Sequence, residues 1–300
     1  MLRKACFIFC FVTLTLSAQW AYGQGVSTPP APSPSIPLAD AKPVTPAQDK
    51  WEFDLIPYFW MAGLKGDVTL KGNDAKVDMS FGDIWDGLKF GAQTHLEAKK
   101  GKWGIFLDAT YMKLSTDIEG SRRRFGPGSV VEVDTLLDAE MSMEEWLIEF
   151  GGAYQIAKTP IEQDKNGMMY LDLLVGGRYW YLSTDVDVDL IREGNVNVVT
   201  RSFSADGSKQ WIDPFIGLRT RIQLTKNLML VFRGDVGGFS VGSKFSWNAS
   251  GYLGYSVSEM ISLWAGYRAL GVDYHDGSGS SKFVYDVIMQ GPSLGISFRF

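Results

Sequence analysis

From Trp51 to Phe300 the chain repeats one pattern: apolar side chains alternate with small or polar ones in segments of about ten residues, separated by turn signals. The last segment is the clearest. Leu294, Ile296 and Phe298 alternate with Ser293, Gly295 and Ser297, and the chain stops on Phe300. A two-residue period puts one set of side chains on each face of a strand, so every segment has one apolar and one polar face. Strands of this length with an apolar outer face and a polar inner one are the signature of a transmembrane β-barrel. The fold class expected is therefore all-β: an antiparallel transmembrane barrel of about ten strands, within a range of eight to twelve.

Beyond residue 23 no run of about 18 apolar residues occurs, which excludes a helical membrane span. Hydrophobic residues make up 45% of the chain and charged ones 21%, a mixture that interleaved lipid-facing and interior-facing positions produce directly. Residues 1–23 read as a signal peptide: Arg3 and Lys4, an apolar run from Ala5 to Leu16, then Ala21 and Gly23 before the expected cleavage at Gln24. Both cysteines, Cys6 and Cys10, lie inside it, so the mature chain is expected to carry neither disulfide nor thiolate site. Residues 24–50 are rich in Pro, Ala and Ser, with too little apolar surface to fold alone, and are expected to form a periplasmic linker. The barrel takes residues 51–300.

Loop lengths orient the barrel. Short turns at Lys100-Gly101, Lys226-Asn227 and Ser258-Glu259 alternate with longer connections at Met61 to Leu88, Ile118 to Val130 and Val186 to Lys209. Short turns belong to the periplasmic side and long loops to the exterior, so the linker and the C-terminus are expected to be periplasmic. Within the first long connection, Asp67 to Leu70 and Lys76 to Met79 could pair as a hairpin, which would raise the strand number to twelve, and Phe81 to Leu88 reads as a short helical turn with Trp85 and Leu88 on one side. Gly291-Pro292 is expected to shift the alternation of the last strand and form a bulge.

The inward positions carry both signs of charge: Glu97, Asp108, Glu145, Glu149, Asp172 and Asp235, with Arg178, Arg219, Arg221, Arg233 and Arg268. A barrel of about ten strands is narrow enough for side chains to fill, and buried charges of opposite sign pair because an unpaired one is costly. The leading expectation is a charge-paired polar network that fills the lumen. The alternative is a narrow channel for small solutes lined by the same residues.

Other features have plainer readings. Asp273 and His275 share a strand face near the exterior rim, and an Asp-x-His pair resembles the arrangement in outer-membrane proteases of the omptin group; a hydrolase with a rim site there, helped by Asp83 or Asp86, is a third reading after surface protein and channel. His95 beside Glu97 lacks a serine motif, and Asp185, Asp187 and Asp189 lack the glycine and terminal Glu of a calcium loop. No cofactor or metal is expected. The net charge of −5 and a largest basic cluster of only Arg122 to Arg124 give no support for nucleic-acid binding. Outward Trp51, Trp103, Trp146, Tyr154, Tyr181, Trp247 and Tyr255 read as anchors in the headgroup zone.

Two stretches carry a family resemblance: Trp51 to Trp60 (WEFDLIPYFW), and the closing set Gly266-Tyr267-Arg268, Asp273-Tyr274, Gly291-Pro292 and Gly295 to Phe300. Together they resemble a family of poorly characterised proteobacterial outer-membrane β-barrel proteins related to small OmpA-like and opacity-like barrels. The resemblance implies an outer-membrane location in a Gram-negative cell envelope and no catalytic residue. Terminal Phe300 resembles the signal read by the barrel assembly machinery. The partners expected are that machinery, outer-membrane lipid, and a small solute or a surface partner. A structural or cell-surface interaction role follows as the leading functional expectation.

Overall fold

The computed structural model describes residues 50–125, 132–161, 167–194 and 198–300, without the side chains of 116–141 and 186–205. The expected signal peptide and nearly all of the linker lie outside the described residues.

Alternating segments become strands because each buries one face and leaves the other to lipid. β1 (Glu52–Trp60), β2 (Gly63–Leu70) and β3 (Asn73–Met79) are followed by a short helix, α1 (Phe81–Gly87). Then come β4 (Leu88–Lys100), β5 (Trp103–Phe125), β6 (Glu132–Pro160), β7 (Met168–Gly194), β8 (Val198–Gln223), β9 (Leu228–Gly237), β10 (Phe245–Ser256), β11 (Ile261–Asp276) and β12 (Phe283–Arg299). Each strand from β4 to β12 pairs antiparallel with the next; β1 joins β4 on one side and β12 on the other, closing a ten-stranded barrel. The β2–β3 hairpin does form, stacked above β1 on β12 rather than entering the ring. The three short turns lie at the base, the end that holds Glu52 and Arg299.

The outer face is apolar: Phe53, Ile105, Phe150, Val175, Ile212, Leu263 and Leu294 are all exposed. On β5 and β6 two aromatic pairs mark the edges of this belt. Near the base Trp103 packs on Tyr154 with centroids 4.6 Å apart; higher up Tyr111 packs on Trp146 at 4.4 Å. Trp103 and Tyr111 lie on the same strand at a separation of roughly 20 Å along the barrel axis, allowing for strand rise and tilt, which approximates the apolar band of an outer-membrane barrel.

Two expectations need correction. The connections at Ile118 to Val130 and Val186 to Lys209 are largely strand, not loop: β5 to β8 run for 23, 29, 27 and 26 residues, where about 9–11 suffice to cross a bilayer. Their surplus forms a wall rising well beyond the apolar belt. Gly291-Pro292 makes no bulge either, since the register of β12 against β11 runs unbroken from Phe283 to Phe298. Pro292 simply faces outward, and its carbonyl still accepts the Met61 N–H at 2.8 Å. The short helical turn expected at Phe81 to Leu88 forms as α1, with Ile84 buried and Trp85 exposed. A capping box starts that helix, with Ser80 accepting from the Asp83 N–H and the Asp83 carboxylate accepting from the Ser80 N–H.

Candidate functional site

The lumen is filled in layers. Its middle layer holds ten of the eleven charged residues that alternation places inward, and register decides which of them meet. Glu149 sits opposite Asp108 on one side and Arg178 on the other, while Asp172 sits opposite Arg219.

Glu149, fully buried, accepts from three arginines: Arg178 Nε at 2.6 Å, Arg268 Nη2 at 2.9 Å and Arg233 Nη1 at 3.2 Å. Asp235 accepts from Arg178 Nη2 at 2.7 Å and Arg233 Nε at 2.8 Å. Arg268 Nη1 continues to Asp108 at 3.2 Å, whose carboxylate also takes the Tyr58 hydroxyl at 2.8 Å and lies 3.1 Å from His95 Nδ1. A second group forms nearer the base. Arg219 holds Glu97 with two parallel hydrogen bonds of 2.9 and 2.7 Å and reaches Asp172 at 3.0 Å, where Arg221 also binds. Arg219 and Arg233 face each other across β8 and β9, and this like-charge contact is tolerated because carboxylates flank both.

The guanidinium planes are covered as well as their edges. Arg178 and Arg233 each lie 5.3 Å from the centre of the Phe215 ring, and Arg268 lies 4.9 Å from that of Trp60. Bidentate edges and stacked faces are the environment in which arginine rather than lysine is stable when desolvated.

Above this layer lies an apolar one, made by Leu147, Trp180, Trp211, Leu270, Val272, Tyr274 and Val287. Trp211 stacks on Tyr274 at 3.9 Å and on Trp180 at 5.6 Å. Asp213 anchors the stack, accepting from Trp180 Nε1 at 3.1 Å and from Ser243 N and Oγ at 2.6 and 2.7 Å. Two outer clasps, Lys209–Asp276 at 2.6 Å and Lys71–Asp206 at 3.1 Å, tie β8 to β11 and to the β2–β3 turn. These lysines hold the Asp276 and Asp206 carboxyls below their ordinary range, chiefly by hydrogen bonding. A cavity of about 300 Å³ runs from the base, where Glu52, Lys99, Arg221 and Arg299 border it, up to Asp108, Arg233 and Arg268 of the ionic layer.

Glu145 stands apart from the network. Although it faces inward and is buried, its Oε1 has no hydrogen-bond partner among the described residues, and its surroundings belong to the apolar layer. Conversely, Tyr58, His95, Asp213, Ser243, Ser246 and Asn248 contribute to the lumen beyond the charged set singled out from sequence. Inward strand positions were the available signal for all but Ser243, which lies in the connection between β9 and β10; their partners were not legible.

The rim pair is real as geometry, with His275 Nε2 2.8 Å from Asp273 Oδ1. It lies on the outer face of β11, however, while the neighbouring even-numbered residues Val272 and Tyr274 point inward. Asp83 is not near it. His275 is level with Thr69, whereas the chain reaches Asp83 only after Met79, which is level with Leu64, five residues lower on β2 and about 17 Å away. Asp187 and Asp189 lie outside the described side chains.

No protein-family model matches the chain, and no curated protein sequence does. Among solved structures, the outer membrane protease OmpT of Escherichia coli matches 84% of this chain and 98% of its own at 12% identity, with a TM-score of 0.49. Neisserial surface protein A matches 83% of this chain and 97% of its own at 12% identity, with a TM-score of 0.29. Ail, the attachment invasion locus protein of Yersinia pestis, matches 83% and 98% at 12% identity, with a TM-score of 0.28. Identities of this order speak to fold alone.

Proposed function

We propose that this chain is an integral barrel of the Gram-negative outer membrane with a structural or cell-surface interaction role, and that its lumen is closed to solutes. The observation that carries the reading is the pair of layers in series inside the barrel, one of neutralised charges and one of stacked aromatics. A second observation favours the surface role: β5 to β8 continue far past the apolar belt, so much of the chain is invested in sheet outside the bilayer. Short turns and both described chain ends share the base, which supports a periplasmic position for the linker and the C-terminus. A non-catalytic role is supported by the outward aspect of Asp273 and His275 and their distance from Asp83.

Planar-bilayer recording of the refolded protein tests this. The wild type should insert without producing discrete conductance steps. Stable, reproducible steps from a heat-modifiable, folded preparation would replace this reading with the narrow channel.

A further inference from the structure

The barrel wall is interrupted at one height. Pairing of β4 with β5 starts at Leu88 and Leu114 with an irregular register, and above that point β5 has no described partner on this side. β3 stands where β4 would continue upward, yet it pairs with β2 and with no other described strand. Into the gap goes α1, a seven-residue helix that contributes no rung to the sheet ladder. Behind it lies a cavity of about 90 Å³ that reaches from the lumen through the wall. Trp60, Leu147 and Met289 border it from inside, and Phe59, Phe81 and Trp85 from outside. Those outer three rings form one cluster, 5.6 to 5.9 Å apart, and Trp85 is 53% exposed.

Among the described residues that border it, one is charged, beside the polar Tyr58, Gln93, Thr110 and Tyr111. Glu145 borders the cavity, is 3% exposed, and leaves Oε1 unpartnered. The Tyr285 hydroxyl in the same apolar cluster is likewise unpartnered. Every other lumen carboxylate of the ionic layer has an arginine; this one faces a void that opens sideways. A buried carboxylate is offset by a cation brought to it, and here the route to it is from the lipid side.

We propose that this cavity is a lateral site for a primary alkylammonium amphiphile drawn from the outer leaflet. The ammonium group pairs with Glu145, and the alkyl chain runs out beneath α1 across Phe59, Phe81 and Trp85 into the lipid. The void of about 90 Å³ admits an ammonium group with its first methylenes, and a phosphate-bearing headgroup is disfavoured beside Glu145 by its charge. Charge selects against fatty acids, since a second carboxylate beside Glu145 is repelled.

The test uses the full refolded chain in phosphatidylcholine vesicles, with radiolabelled dodecylamine, dodecanol and dodecanoate as probes and protein-free vesicles to subtract partitioning. Dodecylamine should show saturable retention near one per chain, with neither of the other probes retained comparably. Glu145→Gln should weaken dodecylamine retention at least tenfold while keeping the heat-modifiable folded band. Gly91→Leu, which fills the cavity from β4 with Glu145 intact, should abolish retention too, and it decides the matter if the Glu145 variant does not fold. Retention equal in wild type and folded variants, retention of dodecanoate as strong as that of dodecylamine, or partitioning alone would overturn the proposal.

Discussion

Arg178 and Arg221 carry the same guanidinium and differ in what surrounds them. Arg178 is wholly buried and joins Glu149 to Asp235, whereas Arg221 is partly exposed and shares Asp172 with Arg219. Removing a buried partner leaves an uncompensated charge, a change of about 3–5 kcal/mol; removing a redundant one near water costs about 1 kcal/mol or less. Guanidinium unfolding midpoints of Arg178→Leu and Arg221→Ala should separate accordingly, and equal losses would show that burial does not set the strength of these pairs. Alternation alone put both residues in the lumen, because side-chain period needs only local sequence. Pairing was not legible, since it depends on the stagger of β6 against β7 and of β8 against β9. Glu145 shows the limit: its inward parity was readable, but the apolar layer around it comes from Leu147, Trp180 and Leu182, on two different strands.

At the scale of elements, Gly291 and Pro292 misled because each residue weakens an isolated strand. In the sheet they serve the junction between β1 and β2. Pro292 lacks an N–H on the edge that meets this junction, where its carbonyl accepts the Met61 N–H, and a Cβ on Gly291 would collide with the Met61 carbonyl oxygen where the chain passes from one strand to the next. Gly291→Ala should therefore destabilise by roughly 1–3 kcal/mol, the usual range for overpacking. Gly234→Ala on β9, where a Cβ meets nothing within 4 Å, is the matched control and should be close to neutral. Thermal midpoints of the gel-mobility shift compare the two directly; similar midpoints would mean the junction can relax. The rising strands were missed for a related reason. Beyond the bilayer neither face needs to be apolar, so the contrast that marks a membrane strand fades, and only the beat of Asp185, Asp187 and Asp189 hinted that β7 continues.

For the whole molecule, the proposed closure rests on two barriers of different chemistry in series. A solute moving along the axis must break charge-assisted hydrogen bonds around Glu149 and then part the Trp180, Trp211 and Tyr274 stack. Barriers in series have a definite mutational signature. Replacing Trp180, Trp211 and Tyr274 together by Ala removes the upper barrier only, and the protein should remain silent in a planar bilayer. Replacing Glu149, Arg178, Asp235 and Arg233 together by Ala removes opposite charges in equal number, which avoids an orphaned ion, and should leave the upper barrier closed. Combining both sets should produce discrete conductance steps, because the ring of backbone hydrogen bonds that holds a closed barrel does not depend on its contents. Steps from the aromatic variant alone would show that the ionic layer does not block ions. Silence from the combined variant, with a folded heat-modifiable band, would place the remaining obstruction in the Arg219, Glu97 and Asp172 group nearer the base, in the Arg268–Asp108 pair, or at the strand tops tied by Lys209–Asp276 and Lys71–Asp206.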